Sequence, residues 1–437
     1  MNLRTYLSVM VVIAVCANGA MAADPAPELE ALVQEGLAKN PELHATQARW
    51  DMLRAKAAQA GSLDDPMVMF RIQNALVNDP LAFDKEAMTG KVIGISQQLP
   101  FAGKRGLARQ AADQEAEAGR WQHEERRIEL TRMIKENYYR IYYVDQSLPI
   151  VARNILVLDD LIRFTETMYG VGKALQQDVL KAQVERSKME DMQIALQQQR
   201  RSLAAALNSL IYRPAEMALP EVREVAIVPL SASVEELAAL AEEQRPLIKS
   251  LAAQVEKGKA GRALAQKEYY PDFNVAFEYM QRDPVMEEPG DDMYSLGVTF
   301  NLPVNRQRRH AMVAEAMAET RMAAEELNML RNTIRQNIAD GLARLERNQR
   351  MAELYQTAII PQATGALDAA MAAYRVGKAD FMNVLDSRMA LFNYERQYFE
   401  AVAEYQMQLS QLEGVVGATL PPVETLPRGD INVGSGK

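Results

Sequence analysis

The 437-residue sequence predicts a mainly α-helical chain with a β-barrel part, built from one helix–β-hairpin–long-helix unit used twice. Three observations predict it. The first is repetition: Leu32, Pro41 and Pro66 recur as Leu237, Pro246 and Pro271, each 205 positions on. At the same offset Tyr169-Gly170-Val171-Gly172-Lys173-Ala174 recurs as Tyr374-Arg375-Val376-Gly377-Lys378-Ala379, Val179-Leu180 as Val384-Leu385, and Leu207 as Leu412. Pro100 and Pro303 stand 203 apart, so the copies differ by two residues in one internal loop. The second observation is a pair of strand-like alternating stretches in each copy. The third is the very long helical pattern that follows each pair. The period is too long for a solenoid, so a reading of one copy must also make sense for the other.

Residues 1–22 read as an export signal. Arg4 supplies positive charge, residues 7–15 an apolar core, and Ala20-Met21-Ala22 a small-residue cleavage site. Cys16, the only cysteine, lies beside that core. It could instead carry lipid after Ile13-Ala14-Val15, although Val15 is bulky for that signal. Ordinary cleavage leaves a mature chain without a disulfide or thiolate. No later stretch has 18 consecutive apolar residues, so no spanning helix is expected. The first repeat covers 29–211 with its hairpin at about 67–99, and the second 234–414 with its hairpin at about 272–302. Residues 212–233, with Pro214, Pro220 and Pro229, read as a linker, and 415–437 as a flexible tail.

Within the first copy a helix is expected over 29–63, ended by Asp64-Asp65-Pro66. Over 67–76, Val68, Phe70 and Ile72 alternate with Met69, Arg71 and Gln73; the alternation over 91–99 is weaker. In the second copy Phe273, Val275, Phe277 and Tyr279 alternate with Asn274, Ala276 and Glu278. Tyr294, Leu296, Val298, Phe300 and Leu302 then alternate with Ser295, Gly297, Thr299 and Asn301. Period-two alternation means strands with one apolar and one polar face. Such a sheet covers a soluble core or faces lipid, and strands of about 9–11 residues suit a tilted transmembrane strand.

The long helices follow, over 102–168 and 306–373. Ile134, Ile141, Leu148, Ile155 and Ile162 recur every seven residues, with Val144, Val151 and Leu158 three places after three of them. That is a coiled-coil seam. A helix of this length spans roughly 100 Å at 1.5 Å per residue. Pro149 interrupts the first and Pro361 is the expected kink of the second. Four strands cannot close a barrel, and open edges in lipid leave backbone groups unsatisfied. Three chains supply twelve strands, enough for a water-filled lumen, with the helices extending the cylinder as a tunnel.

At this point the chain resembles the TolC-type outer-membrane efflux channels, over about 29–414. The resemblance rests on the duplicated order, on QQLPFAGKR (97–105) with FNLPVNRQRR (300–309), and on YRVGKADFMNVLDSR (374–388) with YGVGKALQQDVLKAQ (169–183). It implies a homotrimer with a twelve-stranded outer-membrane barrel, set in outer-membrane lipid and continuous with a periplasmic coiled-coil tunnel. The ten strand residues Val68, Phe70, Ile72, Phe273, Val275, Phe277, Tyr294, Leu296, Val298 and Phe300 would face lipid. The partners would be a periplasmic adaptor (a membrane fusion protein) and an inner-membrane RND-type pump, with no cofactor. Val171, Gly172, Lys173, Val376, Gly377 and Lys378 would be tips that dock the adaptor. Carried over by motif, the periplasmic gate would use Tyr374 and Asp386. Asn383 stands where the family has a second acid, which halves the charge of that ring. Asp178 matches the position that bonds to a neighbouring hairpin, with Tyr374 or Lys378 as partners. Taken alone, these carboxylates are solvated helix-surface groups.

The remaining features are weaker. Lys104, Arg105, Arg109, Arg306, Arg308 and Arg309 open the long helices, where cations oppose the helix dipole. Anionic lipid headgroups or snorkelling would explain them. Methionine numbers 24, with Met67, Met69, Met88, Met280, Met286 and Met293 in or beside the hairpins. Thioethers suit Cu(I) or Ag(I), but methionine more often fills gaps. His44, His123 and His310 have no ligand spacing, and no metal site is assigned. A net charge of −9 argues against a nucleic-acid partner. GVGK lacks the G-x-x-x-x-G-K-[ST] of a phosphate loop. With no nucleophile–base pair either, an enzyme is not expected. The leading expectation is a passive efflux duct, leaning to heavy-metal cations such as copper or silver. The alternatives are a multidrug or type I protein-secretion channel, and a trimeric adhesive stalk.

Overall fold

The computed structural model describes residues 27–222, 225–286 and 289–420. The expected signal peptide, Cys16 and most of the tail lie outside these. In chain order the elements are α1 (Pro27–Lys39), α2 (Pro41–Ala60), β1 (Met67–Gln73), β2 (Gly90–Leu99), α3 (Lys104–Gly170) and α4 (Gln176–Leu210). The second copy gives α5 (Val234–Gln244), α6 (Pro246–Lys267), β3 (Phe273–Gln281), β4 (Met293–Phe300), α7 (Arg306–Leu354), α8 (Ile360–Arg375) and α9 (Phe381–Val416).

The single helix expected over 29–63 is two helices. Asn40 leaves helical geometry at φ −66°, ψ 120°, and its Oδ1 accepts from Glu42 N at 2.8 Å. Pro41 follows at the first helical position, where its missing N–H costs nothing. The second copy breaks in the same way at Arg245-Pro246. In contrast, α3 runs unbroken for 67 residues through Pro149. Pro361 leaves the other mark. Just before it Tyr355–Ile359 form a π turn, and Ile360 N–H bonds to Tyr355 O. A proline clashes with the carbonyl four residues back, and the widened turn relieves that clash.

The four strands form one antiparallel sheet in the order β1-β2-β3-β4. The β2–β3 pairing crosses from one copy to the other, so the two hairpins merge. β1 and β4 are open edges. The helices pack along three apolar clusters. One gathers Leu29, Val33, Leu130 and Ile134 with Leu207 and Ile211. Its counterpart in the second copy gathers Leu237, Ala241, Ile334 and Ile338 with Leu412. The third binds the lower halves of α3, α4 and α9 through Val151, Leu158, Ala182, Val384 and Phe392. The heptad positions Val144, Val151 and Leu158 are fully buried. α6 lies against both α3 and α7, whereas its counterpart α2 has extensive packing with α3 and none comparable with α7.

Candidate functional site

Three regions carry the residues singled out from the sequence. The first is the sheet. Its register pairs Val68 with Ile95, Phe70 with Ile93, Ile95 with Phe277, and Phe277 with Leu296. Phe273 pairs with Phe300, and Val275 with Val298. Paired residues share a face, so all ten expected strand residues fall on one side of one sheet. Ile93, Ile95 and Leu99 join them from the strand with the weaker alternation. This face has no cover: Phe70 is 78% exposed and Leu296 72%.

The opposite face carries Arg71, Ser96, Gln98, Asn274, Glu278, Ser295 and Thr299. Arg71 reaches Glu278 at 2.8 Å across β2. Met67, Met69, Met280 and Met293 are on this side, with Met280 paired to Met293. A side chain at Gly90 would collide with Met280, and one at Gly94 would press on Met69 and Glu278. Met69 and Met280 therefore fill the space above two glycines. Among the described residues no group of three or more His, Cys, Asp or Glu could hold a metal ion. No helix among them is long and apolar enough to cross a membrane.

The second region joins sheet to helices. Lys104 is only 5% exposed and reaches Asp272 at 3.0 Å and Glu268 at 3.2 Å. Asp272 also accepts Phe101 N–H at 2.7 Å. Arg105 donates to Gly61 O at 2.7 Å and Arg309 to Glu268 O at 2.6 Å. Phe101 stacks on Tyr270 at 4.5 Å, with Lys267 over both rings. These contacts correct the lipid-headgroup reading for Lys104, Arg105 and Arg309, which bind protein oxygens of the other elements at this corner. Arg109 pairs with Asp113, while Arg306 and Arg308 stay exposed.

The third region is the pair of tips. Gly172 and Gly377 have φ of 73° and 72°, the left-handed region that other residues avoid. Lys173 N–H bonds back to Met168 O at 2.8 Å, and Lys378 N–H to Ala373 O at 2.9 Å. Both are Schellman turns, which end a helix and reverse the chain. Val171, Val376, Lys173 and Lys378 are exposed at the turns. Asp178 accepts Leu175 N–H at 3.1 Å and so caps α4. Its counterpart Asn383 is exposed, as is Asp386.

The tyrosines break the symmetry. Tyr169 is half exposed, but Tyr374 is 6% exposed, edge-on to both Phe164 and Phe381. Burial pushes the Tyr374 phenol above its usual pKa; the charge of Asp178 adds to this and nearby Thr165 opposes it. Thr165 itself donates to Leu161 O at 2.7 Å, and the Tyr374 hydroxyl has no hydrogen bond of ordinary geometry among the described residues. Sequence reasoning missed Asp272, the hub of the corner, and two arginines of α9, the buried Arg388 and the half-buried Arg396. An acid directly before β3, opposite a cationic helix start, was the available signal for the first.

Comparison with known proteins agrees with this architecture. A family profile described as "Outer membrane efflux protein" matches residues 32–211 and 237–418. The cobalt-zinc-cadmium resistance protein CzcC of Cupriavidus metallidurans is 20% identical over 398 residues, 89% of this chain and 90% of that one. The crystal structure of VceC from Vibrio cholerae superposes with a TM-score of 0.75 at 19% identity, covering 90% of this chain and 97% of that one. A crystal structure of CusC gives 0.76 at 16% identity, covering 89% and 92%. With the duplicated unit and merged hairpins already in view, the two matched segments leave one conclusion: this chain belongs to the outer membrane efflux protein family.

Proposed function

We propose that three copies of this chain close into a twelve-stranded barrel and a helical tunnel, forming the passive outer-membrane duct of a tripartite efflux system. The observation that carries the reading is the sheet itself. It has one predominantly apolar, uncovered face, interrupted by Gln97 and, at one end, by Lys91 and Gln281; the other face is more polar, and both edges are open. Exposed apolar area on this scale marks a surface that something apolar covers. Lipid covers one face, and water fills the lumen behind the other. An open edge in lipid is expensive, so β4 of one copy pairs with β1 of the next. The free flank of α2 then meets the neighbour's α7, as α6 meets α7's counterpart α3 within the chain.

In this arrangement the tips at Val171-Gly172-Lys173 and Val376-Gly377-Lys378 point into the periplasm and dock a periplasmic adaptor. An inner-membrane RND-type pump supplies the energy. Tyr374, Asp178, Lys378, Asn383 and Asp386 surround the closing end. The cargo reading is heavy-metal cations, supported by the likeness to a cobalt-zinc-cadmium resistance protein. The thioethers of Met67 and Met293, exposed on the polar face, favour softer monovalent ions.

The test is particle size in mild detergent followed by planar-bilayer recording. A trimer with step conductance is expected; a monomer without steps would reject the duct. A deletion strain challenged with cobalt, zinc, cadmium, copper, silver and dyes then assigns the cargo. Sensitivity to dyes alone would replace the metal reading with a multidrug one.

A further inference from the structure

The seam between α3 and α9 holds one buried and one half-buried arginine, neither of them paired with an acid among the described residues. Arg388 is 7% exposed among Leu161, Val384 and other apolar side chains. Its Nε donates to Asn154 Oδ1 at 2.7 Å. Its Nη2 and the Asn154 Nδ2 are both buried without a partner among the described residues. Two turns along, Arg396 donates to Tyr143 Oη at 2.7 Å and leaves its own Nε unpartnered. Ser147 Oγ, on the α3 face between them, is also unpartnered. Neither arginine makes an ion pair among the described residues. Glu395, the acid whose charge reaches Arg388, is held by Arg153 at 2.8 Å. Burial depresses the Arg388 pKa, the direction expected of an uncompensated cation.

A guanidinium does not shed its proton in a protein, so burial cannot be relieved by neutralisation. Water could complete the hydrogen bonds, but it brings no charge. What the seam lacks is a counterion. A cavity of about 350 Å³ adjoins it, lined by Arg388 together with Asp160, Phe164, Asp368, Met371 and Arg375. Asp160 is bound to Arg163 at 2.5 Å, and Asp368 is exposed on α8. Asp160, Asp368 and Arg375 are exposed, so Arg388 is the one buried charge among the lining residues.

We propose that this seam binds one small carboxylate anion on the Arg388 guanidinium and the Asn154 amide. Two oxygens on one carbon match the guanidinium fork, and the amide N–H lies beside it. The anion clasps α3 to α9, and so joins the α3/α4 hairpin to the α8/α9 hairpin. The inference needs only the fold of one chain and stands whether or not the protein is an efflux duct.

Acetate is the probe. Full-length protein in detergent is titrated with sodium acetate, with sodium chloride as a parallel arm, while apparent Tm is read. The wild type is expected to rise by about 2 °C per tenfold excess over Kd and to saturate. Asn154→Asp carries its own carboxylate to the same place. It is expected to match acetate-saturated wild type and to lose the response. Arg388→Met is expected to lose the response as well, and general salt effects cancel between variants. A chloride response equal to that of acetate replaces the carboxylate with any small anion and overturns the stated class. A wild type indifferent to acetate, or an Asn154→Asp protein that is destabilised and still responds, overturns the site.

Discussion

Placing one arginine on either face of the edge strand β4 tests which surroundings each face has. Every residue of β4 is exposed in the single chain. A substitution there disturbs little packing within the protomer and reports on what lies outside it. Leu296 is on the apolar face, paired with Phe277, and its neighbour Ser295 is on the polar face, paired with Glu278. From Tyr294 to Phe300 the apolar band spans seven residues, about 20 Å along the strand. Leu296 lies inside that band. An arginine at the lipid midplane costs about 2–4 kcal/mol, falling towards zero at the interfaces. Three copies in one barrel multiply this to roughly 6–12 kcal/mol. Ser295→Arg places the same charge in water, beside Glu278, at a cost of about 0.5 kcal/mol or less.

The assay is the fraction of folded oligomer in outer-membrane extracts, read by heat-modified gel mobility, with urea midpoints for whatever assembles. Leu296→Arg is expected to abolish assembly or lower the midpoint sharply, and Ser295→Arg to behave as wild type. Equal damage from both, or equal tolerance of both, refutes the assignment of one face to lipid and the other to water.

At the corner below the sheet, Asp272→Ala strips Lys104 of its better partner and orphans Phe101 N–H. A loss of about 3–5 kcal/mol is expected from the urea midpoint. At the second tip, Gly377→Val forces a β-branched residue to φ 72° with open space around it, costing about 1–2 kcal/mol of local stability. Faster proteolytic nicking there, relieved in Gly377→Asn, is the expected readout. Glu35 is hydrogen-bonded first by Arg213 and then by Lys39, and its pKa falls from 4.5 to about 2. Its contribution is present above the ordinary value and is lost as pH drops towards 2. Glu35→Gln should flatten that part of the acid unfolding curve, by about 1 kcal/mol after solvent screening.

The strands were legible because alternation has a period that cannot be mistaken over nine residues, and the register follows from it. The long helices were legible from their heptads. The break at Asn40-Pro41 was not, because apolar spacing continues across it; the Asn-Pro pair was the local signal. Asp272 was hidden because it belongs to no repeat: its counterpart 205 residues earlier is Met67. The different burial of Tyr169 and Tyr374 was hidden for the opposite reason, since the surrounding motif is the same. The difference lies in Gln176 against Phe381, the residues that open α4 and α9. A polar residue leaves one tyrosine in solvent, and an aromatic one closes over the other.

The repeat also fixes where two chains should touch in the proposed trimer. Inside one chain α6 meets α3, where Ser250 Oγ donates to Ala118 O at 3.1 Å. Stepping Ser250 back by 205 gives Ala45 on α2. Stepping Ala118 forward by 203 to 205 gives residues 321–323 on α7, centred on Met322. Both Ala45 and Met322 are exposed in the single chain, Met322 by 57%. If a neighbouring α7 covers α2 as α3 covers α6, these two positions meet across the subunit boundary. Cysteines there would have Cα atoms within the roughly 4.4–6.8 Å that a disulfide requires. The double variant Ala45→Cys with Met322→Cys should therefore form covalent dimers and trimers under mild oxidation, and each single variant should not. A double variant that stays monomeric on non-reducing gels while still forming an oligomer would mean that the second copy does not hand on to the next chain the contact it receives from the first.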